Sequence, residues 1–370
     1  MNEKVVVLMS GGVDSSIAAY LLKKQNYKVY GLHFKTVNDI IFSAGPEKQK
    51  VCCSSSDTTD ALKIAEKLKL DDFQIVEVKS EFKGKIIDYF IQTYKSGKTP
   101  NPCVLCNRYF KFGKSLEISK KIGAKYISSG HYVIREYSEK YSDEVLKKGV
   151  DSYKDQSYFL SYVKKEAVPH LLFPLGKLYK SDIRELAREL GLSIADKKES
   201  QELCFIPDND YRGFLRANGI QVGEGKVLDL EGNEIGIHSG YINYTIGQRS
   251  GIRYYKSPCE KLHVYKIIPE KNILIMAPTE KLYSNELIAS KVNFLIDFKT
   301  FEGLCRVRKK SEEKPAIVTK ISDDAIRVRF KEPIFAVTPG QFATIYDEEG
   351  VVLASGIITS STYMEDNNDG

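Results

Sequence analysis

The feature that most constrains the fold is an apolar run followed by a glycine-rich turn near the start of the chain. Residues 5–9 (Val-Val-Val-Leu-Met) are unbroken apolar residues rich in β-branched side chains, which is typical of a strand buried on both faces. Residues 17–24 are mostly good helix formers. Residues 10–16 (Ser-Gly-Gly-Val-Asp-Ser-Ser) therefore predict a tight strand-to-helix turn, in which Gly11 and Gly12 allow positive φ and the close approach of a ligand.

The predicted turn has the chemistry of a phosphate-binding loop. Free backbone N–H groups at the start of a helix, and the positive end of the helix dipole, favour an anion. A Walker A loop would end in Gly-Lys-Ser or Gly-Lys-Thr, whereas this turn carries an acid, Asp14, which can help to hold Mg²⁺ beside phosphates. An ordinary βα turn with a serine cap is the alternative. The full string resembles the PP-loop of enzymes that use ATP to adenylate an oxygen and release pyrophosphate.

Composition restricts the class of protein. A chain of 370 residues with 42% hydrophobic residues predicts two or three domains, each with its own core. No apolar run is long enough to span a bilayer, and the N-terminus runs directly into a strand instead of a secretory signal, so we expect a cytoplasmic protein. In a reducing compartment, seven cysteines indicate catalytic, redox or metal-binding roles rather than a disulfide framework.

Positive charge is concentrated in two parts of the chain, which has a net charge of +6. Such clusters suit contacts to nucleic-acid phosphates, and solvated helix and strand faces are the alternative. The first cluster, interrupted by the single acid Glu117, comprises Arg108, Lys111, Lys114, Lys120, Lys121, Lys125 and Arg135. The second cluster comprises Arg306, Arg308, Lys309 and Lys310.

A Cys-x-x-Cys pair lies on a proline-rich loop just before the first basic cluster. Pro100 and Pro102 stiffen the loop that carries Cys103 and Cys106. The start of the following helix favours a thiolate, and the spacing also lets two thiolates reach one metal ion or cluster. Two buried cysteines are the alternative. Cys204 lies in a polar loop before an apolar pair and, taken alone, is typical of packing.

Two further strand ends can reach a bound nucleotide. Residues 29–34 predict the second strand of a βαβ unit, and ligands bind at the carboxyl ends of strands in a doubly wound sheet. Phe34, at such an end, can flank an adenine ring or belong to the core. Gly130, at the end of another predicted strand, would allow a nucleotide to approach closely, and His131 follows it.

We expect the α/β class: a doubly wound parallel-sheet PP-loop domain, a small β-rich central domain and a C-terminal β-barrel. Frequent glycines and a hairpin signal at residues 229–233 mark the central domain, and short strands mark the barrel. The predicted boundaries are residues 1–206, 207–280 and 281–364, with a polar tail at 365–370. Within the first domain one helix is predicted by a four-residue recurrence of Phe82, Ile86, Phe90 and Tyr94.

Together these stretches resemble the bacterial tRNA-specific 2-thiouridylase family over nearly the whole chain. The matching segments are residues 10–16, 101–107, 130–132, 154–160, 200–206, 244–249 and 338–341. One departure lies in the second segment, where many members have aspartate after Asn-Pro and this chain has Cys103. The general-base or positioning role of that aspartate is therefore not carried over.

The resemblance implies an ATP-dependent tRNA sulfurtransferase. ATP, with Mg²⁺, would adenylate the position-two oxygen of the wobble uridine in tRNA. Sulfur from a sulfur-relay persulfide donor protein, or from free sulfide, would then replace that oxygen, and the free enzyme would be a monomer. The chemistry suits these residue types, because adenylation turns a poor leaving group into a good one and a second thiol can release sulfur by disulfide exchange.

The resemblance also assigns roles to single residues. Cys204 would carry the persulfide, Cys106 would be the partner thiol, nucleophile or disulfide former, and Asp14 would act in catalysis. ATP would be held by Leu8, Met9, Ser10, Gly11, Gly12, Val13, Asp14, Ser15, Phe34 and Gly130. Contacts to tRNA would come from Asn101, Pro102 and Cys103 at the target base, and from His131, Lys154, Asp155, Gln156, Arg308 and Gln341.

Two other functions are consistent with part of the sequence. A different PP-loop ATP pyrophosphatase acting on a small molecule would explain residues 10–16, but neither the cysteines nor the basic helix. An RNA-binding module without chemistry would have no use for Asp14, Cys106 and Cys204. Stimulation of pyrophosphate release by tRNA, as opposed to a small amino compound, separates these functions. The roles of Cys52 and Cys53 are left open.

The first testable prediction concerns Cys103, Cys106 and Cys204. Either Cys103 is a bystander to a persulfide and disulfide pair, or all three bind a [4Fe–4S] cluster with one iron open to carry sulfur; the thiol in place of aspartate favours the cluster. Anaerobic reconstitution should then give about four irons per chain and an electron paramagnetic resonance signal, both abolished in Cys103→Ala. A fully active Cys103→Ala enzyme, with no cluster ever formed, would establish the persulfide mechanism instead.

Overall fold

The structure is a computed structural model that describes residues 3–36, 55–195, 203–206 and 209–363. Cys52, Cys53, residues 200–202 of the segment before Cys204 and the predicted tail at 365–370 lie outside the described residues. The chain divides into two compact units. The first comprises Met1–Ile87, Cys103–Tyr211 and Glu349–Val352, and the second comprises Asp88–Pro102, Arg212–Glu348 and Leu353–Gly370.

The first unit contains a five-stranded sheet and a β-hairpin. Its strands are β1 (Lys4–Leu8), β2 (Lys28–Lys35), β3 (Asp72–Glu77), β4 (Tyr126–Ser128), β5 (Val133–Ser138), β6 (Asp143–Lys148) and β7 (Leu171–Leu172). The sheet has the order β3-β2-β1-β4-β7, and every pairing in it is parallel. Strands β5 and β6 pair with each other as an antiparallel hairpin.

The described α-helices belong mostly to the first unit. They are α1 (Val13–Lys24), α2 (Ser55–Lys67), α3 (Lys79–Phe82), α4 (Asp88–Lys95), α5 (Pro102–Cys106), α6 (Ser115–Lys121), α7 (Ser157–Leu160), α8 (Lys180–Glu189) and α9 (Tyr211–Ala217). Of these, α4 and most of α9 belong to the second unit. Wider π-helical turns occupy Lys83–Ile87 and Asn107–Lys114, and a 3₁₀ helix occupies Lys165–His170. Among the described residues, no helix combines the length and the apolar character needed to cross a bilayer.

The core of the first unit forms where α1 packs between the sheet and α8. Val5 and Val7 of β1 are fully buried, as the unbroken apolar run predicts. Ile17 and Ala18 of α1 and Ile183 of α8 are buried in the same cluster. Full burial of each large aliphatic side chain contributes about 1.5–3 kcal/mol, so this cluster fixes the helix that follows the glycine-rich turn.

The strand order places a topological switch point between β1 and β4. From β1 the sheet grows outward through β2 and β3 on one side, and through β4 and β7 on the other. In open parallel sheets, ligands bind in the crevice at the carboxyl ends of the strands at such a point. Residues 10–16 follow β1 and residues 129–132 follow β4, so both segments lie at this crevice.

The second unit is mainly β-structure. A five-stranded sheet has the order β10-β9-β8-β12-β11, and a closed barrel has the order β13-β16-β15-β14-β17-β18. The strands of the five-stranded sheet are β8 (Gly225–Leu228), β9 (Glu234–His238), β10 (Arg253–Tyr254), β11 (Leu262–Ile268) and β12 (Ile273–Pro278). The barrel strands are β13 (Tyr283–Phe294), β14 (Thr300–Arg306), β15 (Lys314–Ser322), β16 (Ala325–Phe335), β17 (Phe342–Tyr346) and β18 (Val352–Tyr363). The predicted fold class is confirmed.

Candidate functional site

Serine hydroxyls hold the glycine-rich turn in shape. The side chains of Ser15 and Ser16 donate to the Gly12 carbonyl at 3.0 Å and 2.8 Å. Gly11 has φ of +74°, and a Cβ there would lie 2.6 Å from the Asp57 carbonyl oxygen, so only glycine fits. Gly12, with φ of −98°, is in the extended region. Gly11 therefore uses the positive φ that glycine allows, and Gly12 does not.

Asp14, in the first turn of α1, is held by a cation and a phenol. Lys180 Nζ lies 2.7 Å and 2.8 Å from the two carboxylate oxygens of Asp14. The Tyr132 hydroxyl donates to Asp14 Oδ1 at 2.7 Å. The Lys180 side chain is only 9% exposed and that of Asp14 is 30% exposed. The loop therefore combines a carboxylate with a nearly buried cation beside the N-terminus of a helix.

Sequence reasoning missed Lys180, the first residue of α8. The backbone N–H of Lys180 donates to Asp151 Oδ2 at 3.0 Å, and Asp151 is 8% exposed. Asp151 Oδ1 also accepts from the backbone N–H groups of Tyr153 and Lys154. A buried aspartate thus fixes the start of α8 and aims its first side chain at Asp14. The only available signal was the acid in the phosphate turn, which needs a partner when it is partly buried.

Gly130 approaches the glycine-rich turn more closely than a residue with a side chain could. A Cβ at Gly130 would lie 2.5 Å from Asp14 C and 2.6 Å from Ser15 N. Close backbone approach was expected here, but its immediate partner is the turn itself. The turn is braced again by Tyr132, whose backbone N–H donates to Gln156 Oε1 at 3.0 Å.

His33 is a second residue that sequence reasoning missed. It is 3% exposed, with Nδ1 2.8 Å from the Met9 carbonyl and Nε2 3.0 Å from Thr58 Oγ1. Because a carbonyl only accepts, Nδ1 carries the proton in the first of these hydrogen bonds. His33 thereby fixes the chain where it enters the turn. The expected ATP-binding side chains Leu8, Met9 and Val13 are buried, and Phe34 is half-buried.

Several residues expected at tRNA are engaged inside the first unit. His131 is 6% exposed; Ser129 Oγ lies 2.7 Å from its Nδ1 and Lys111 Nζ 3.5 Å from its Nε2. Burial, and then the charge of Lys111, hold the pKa of His131 well below its usual value. Asp155 accepts from Ser157 and Gly149, and Lys154 is half-buried. Their contacts to tRNA stay predictions.

One buried ring supports both thiol-bearing segments. Phe82 is fully buried, and its ring centroid lies 5.4 Å from that of Phe110 and 5.9 Å from that of Phe205. Phe110 lies four residues after Cys106 on one helical run, and Phe205 follows Cys204 directly. The segments of Cys106 and Cys204 therefore pack on the same side chain.

Cys103, Cys106 and Cys204 are half-buried. Within the described ranges, no three or more His, Cys, Asp or Glu side chains are grouped so as to hold a metal ion. The three-cysteine cluster stays a prediction. Cys103 occupies the first turn of α5 and Cys106 its end, so the helix-terminus argument for a thiolate applies to Cys103 and not to Cys106.

The first basic cluster does not form one face. Lys111 lies beside His131 near the carboxyl ends of the strands, whereas Lys125 lies at the amino end of the sheet. There its Nζ pairs with Glu3 at 2.5 Å. Arg108 donates to the Tyr162 carbonyl at 2.8 Å and stacks on that ring. The cations thus spread from one edge of the sheet to the other.

In the second unit, two residues expected at tRNA bind backbone carbonyls. Gln341 is 9% exposed, and its Nε2 donates to the carbonyls of Thr99 and Pro100, both at 3.1 Å. Arg308 donates to the carbonyls of Ile246 and Ala336. Asn101, which follows this segment, is 9% exposed, and Pro102 is buried.

A cavity of about 800 Å³ also lies in the second unit. Arg249, Tyr254 and Lys261 line it, so one of the segments matched by sequence, residues 244–249, reaches it through its last residue. It is not formed by any of the residues predicted to hold ATP.

Three family descriptions match successive parts of the chain. A family described as "tRNA methyl transferase HUP domain" matches residues 3–208. One described as "tRNA methyl transferase PRC-barrel domain" matches residues 212–278, and one described as "Aminomethyltransferase beta-barrel domain" matches residues 284–358.

Similar proteins carry one activity in their names. The tRNA-specific 2-thiouridylase MnmA of Petrotoga mobilis is 71% identical over 96% of this chain and 97% of its own length. The tRNA-specific 2-thiouridylase MnmA of Thermotoga sp. is 45% identical over 96% of this chain and 99% of its own length. A 4-thiouridine synthetase–RNA complex with bound ATP gives a TM-score of 0.34 at 18% identity, covering 58% of this chain and 50% of that one, which is too low to establish a shared fold.

The burial of His131 predicts a pH-dependent stability. Because the pKa of His131 is lower in the folded than in the unfolded chain, the folded state binds fewer protons, and stability falls as pH drops below about 6.5. His131→Asn keeps a donor toward Ser129 and cannot titrate. We expect it to flatten the decline in unfolding free energy between about pH 6.5 and 5 by up to about 1.4 kcal/mol per pH unit.

Chemical denaturation at a series of pH values measures this decline. His170→Asn is the control, since His170 is partly exposed and its ring bonds the backbone carbonyl of Lys125 at 3.0 Å. An equal slope in His131→Asn and the wild-type protein would contradict the prediction.

Proposed function

This chain belongs to the tRNA-specific 2-thiouridylase family, and from that premise we propose that it uses ATP to replace the position-two oxygen of the wobble uridine of tRNA with sulfur. The observation that supports the proposal best is that one compact unit holds both a phosphate-type loop and two thiol-bearing segments packed on one ring. A small-molecule PP-loop enzyme would need only the loop. The methyl transfer in the family descriptions would need neither thiol.

The loop suits the binding of ATP phosphates. The first backbone N–H groups of α1 point out of the helix end, where an anion is favoured. Lys180 Nζ, 2.7 Å from Asp14, supplies a cation that would stabilise the negative charge that develops on departing pyrophosphate. Mg²⁺ usually binds phosphates and one or two carboxylates, so Asp14 fits that ion, which would screen the phosphate charges when bound.

In the first step, the uridine oxygen would attack the α-phosphorus of ATP. The new oxygen–phosphorus bond forms as the bond to pyrophosphate breaks, and the product is an adenylated base. His33, Gly130 and Tyr132 would act by holding the loop rigid, since each contacts the turn or the chain entering it. Rigidity here keeps the attacking oxygen and the phosphorus in line.

In the second step, the terminal sulfur of a Cys204 persulfide would attack the activated carbon and AMP would leave. Cys106 thiolate would then attack the Cys204 sulfur, breaking the sulfur–sulfur bond and releasing 2-thiouridine. A Cys106–Cys204 disulfide forms and an external thiol reductant must restore both thiols. No step requires Cys103 or a cluster. A persulfide on a relay protein would reload the Cys204 thiol by transferring its outer sulfur and leaving as a thiol. Free sulfide would instead attack Cys204 in the Cys106–Cys204 disulfide, giving the Cys204 persulfide and the Cys106 thiol without a separate reductant. The reaction would take place in the cytoplasm on a monomeric enzyme.

The Asp14–Lys180 pair gives the decisive test of this function. Lys180→Met and Asp14→Asn should each abolish tRNA-stimulated pyrophosphate release and 2-thiouridine formation, while tRNA affinity stays within about twofold. Removing one partner of a nearly buried pair also costs about 3–5 kcal/mol of stability, so loss of activity alone would be ambiguous.

The double variant Asp14→Asn/Lys180→Met resolves that ambiguity. It leaves no unpaired buried charge, so we expect its melting temperature to exceed that of either single variant while activity stays absent. Pyrophosphate release and mass analysis of tRNA nucleosides measure activity. An active double variant would contradict the role of the pair, and wild-type enzyme that forms no 2-thiouridine from ATP, tRNA and a persulfide donor would overturn the proposed function.

The spread of the basic cluster predicts which cations bind tRNA. Lys111 and Lys114 lie near the carboxyl ends of the strands, so Lys111→Gln/Lys114→Gln should flatten the plot of log affinity against log salt by roughly 0.7–0.9 for each tRNA phosphate that is no longer neutralised. Lys120→Gln/Lys121→Gln, at the exposed far end of the same helical run, is the control and should leave the slope unchanged. Filter binding at several salt concentrations measures the slope for both double variants. A slope that flattens only in Lys120→Gln/Lys121→Gln would place the RNA-binding surface at the amino ends of the strands.

A further inference from the structure

We propose that the barrel turn Thr338–Gln341 is a latch on residues 99–100, and that Gln341 is a positioning residue for Asn101 and Pro102. The proposal rests on the proposed function only in that Asn101 and Pro102 are the residues expected at the target base. The contacts that carry it all lie within the second unit.

Three hydrogen bonds join the turn to the segment. Gln341 Nε2 donates to the Thr99 carbonyl and to the Pro100 carbonyl, each at 3.1 Å. In the opposite direction, the Thr99 N–H donates to the Pro339 carbonyl at 3.0 Å. The carboxamide nitrogen has two N–H groups, and both are used here. Gln341 is 9% exposed, so its donors are not presented to an external ligand.

Gly340 lets the two backbones come together. Its φ is +93°, and a Cβ there would lie 2.7 Å from the Thr99 oxygen and 3.1 Å from the Thr99 carbon and nitrogen. The turn itself is tied to strand β18, because Gly340 N–H donates to the Ile358 carbonyl at 2.9 Å and Ile358 N–H donates to the Gln341 carbonyl at 2.8 Å. The latch turn is therefore held in place by backbone hydrogen bonds to a barrel strand.

A second set of contacts ties residues 244–249, another segment matched by sequence, to the same place. Thr99 Oγ1 donates to Thr245 Oγ1 at 3.0 Å. Arg308 donates to the Ile246 carbonyl at 2.9 Å, to the Ala336 carbonyl at 2.6 Å and to the Thr338 hydroxyl. Arg308 thus joins the chain beside Thr245 to the chain that enters the turn. Its position explains a basic residue here without invoking a phosphate contact.

Pro100 and Pro102 restrict the conformation of the chain that leads from residues 99–100 into α5. Pro100 and Pro102 each have a fixed φ, so the chain between them has few conformations. Asn101 lies between them at 9% exposure, and Pro102 is the first residue of α5, which ends at Cys106. Fixing the two carbonyls before Asn101 therefore fixes where α5 begins. Polar groups this buried are satisfied by hydrogen bonds within the protein and not by solvent, so removing one donor leaves carbonyls unsatisfied.

Alkylation of Cys103 and Cys106 in the free enzyme tests the latch without tRNA or ATP. Gln341→Glu keeps the shape but places acceptors against two carbonyls, and Gln341→Ala removes the donors. In both we expect the alkylation rate of at least one of these thiols, measured by site-resolved mass spectrometry, to change severalfold. We expect kcat for thiolation to fall about tenfold, equivalent to about 1.4 kcal/mol.

Thr359→Val is the matched control, because Thr359 lies on the same strand as Ile358 and donates to the Ile288 carbonyl at 3.1 Å, away from the latch. It should change neither the alkylation rates nor kcat. If a Gln341 variant does not fold, Thr99→Val and Thr245→Val, which remove the 3.0 Å hydrogen bond between the two hydroxyls, replace it and should alter alkylation in the same way.

Two results would overturn the latch. One is unchanged alkylation of both thiols in folded Gln341 variants, or in the threonine variants that replace them. The other is an unchanged kcat for thiolation in folded Gln341 variants. Because alkylation is measured on the free enzyme, its outcome stands even if wild-type enzyme fails to thiolate tRNA, so the two proposals fail separately.

Discussion

The candidate site depends on one ion pair that is mostly out of solvent. Lys180 is 9% exposed at its side chain, and an ammonium group in such surroundings needs a carboxylate partner. Asp14 provides it from the first turn of α1, and Asp151 holds the start of α8 so that Lys180 reaches it. Three separate parts of the chain are therefore brought together by the need to satisfy one charge. That constraint shapes the crevice between β1 and β4.

Within each unit, several polar side chains fix the backbone. His33 binds the Met9 carbonyl, Gln156 accepts from Tyr132, and Gln341 binds two carbonyls before Asn101. Each is a polar group whose buried atoms must be hydrogen-bonded. A polar residue in a matched segment thus has two possible uses, ligand binding or support of the segment. Exposure and partners decide between them, and for Gln341 both favour support.

Sequence patterns predicted local structure well and tertiary partners poorly. The apolar run of residues 5–9 and Gly11 gave the strand and turn, because burial and positive φ are local demands. Lys180 could not be found in this way, since nothing in a charged helix shows which of its residues meets Asp14. Gly130 was expected to allow a nucleotide to approach closely. In the structure the group that approaches it is the turn, since a Cβ at Gly130 would lie 2.5 Å from the carbonyl carbon of Asp14. The recurrence through Phe82 and Ile86 predicted one regular helix, where the structure has π-helical turns at Lys83–Ile87.

The segment that contains Phe82 bears on the sulfur chemistry. Residues four apart lie on one face of a helix to within about 40°, and Phe82 and Ile86 are both fully buried. Phe82 contacts Phe110 and Phe205 together, and these rings anchor the segments of Cys106 and Cys204. Disulfide exchange requires the two α-carbons to come within about 4.4–6.8 Å, so a shared buried anchor limits how far either thiol segment can drift from the other.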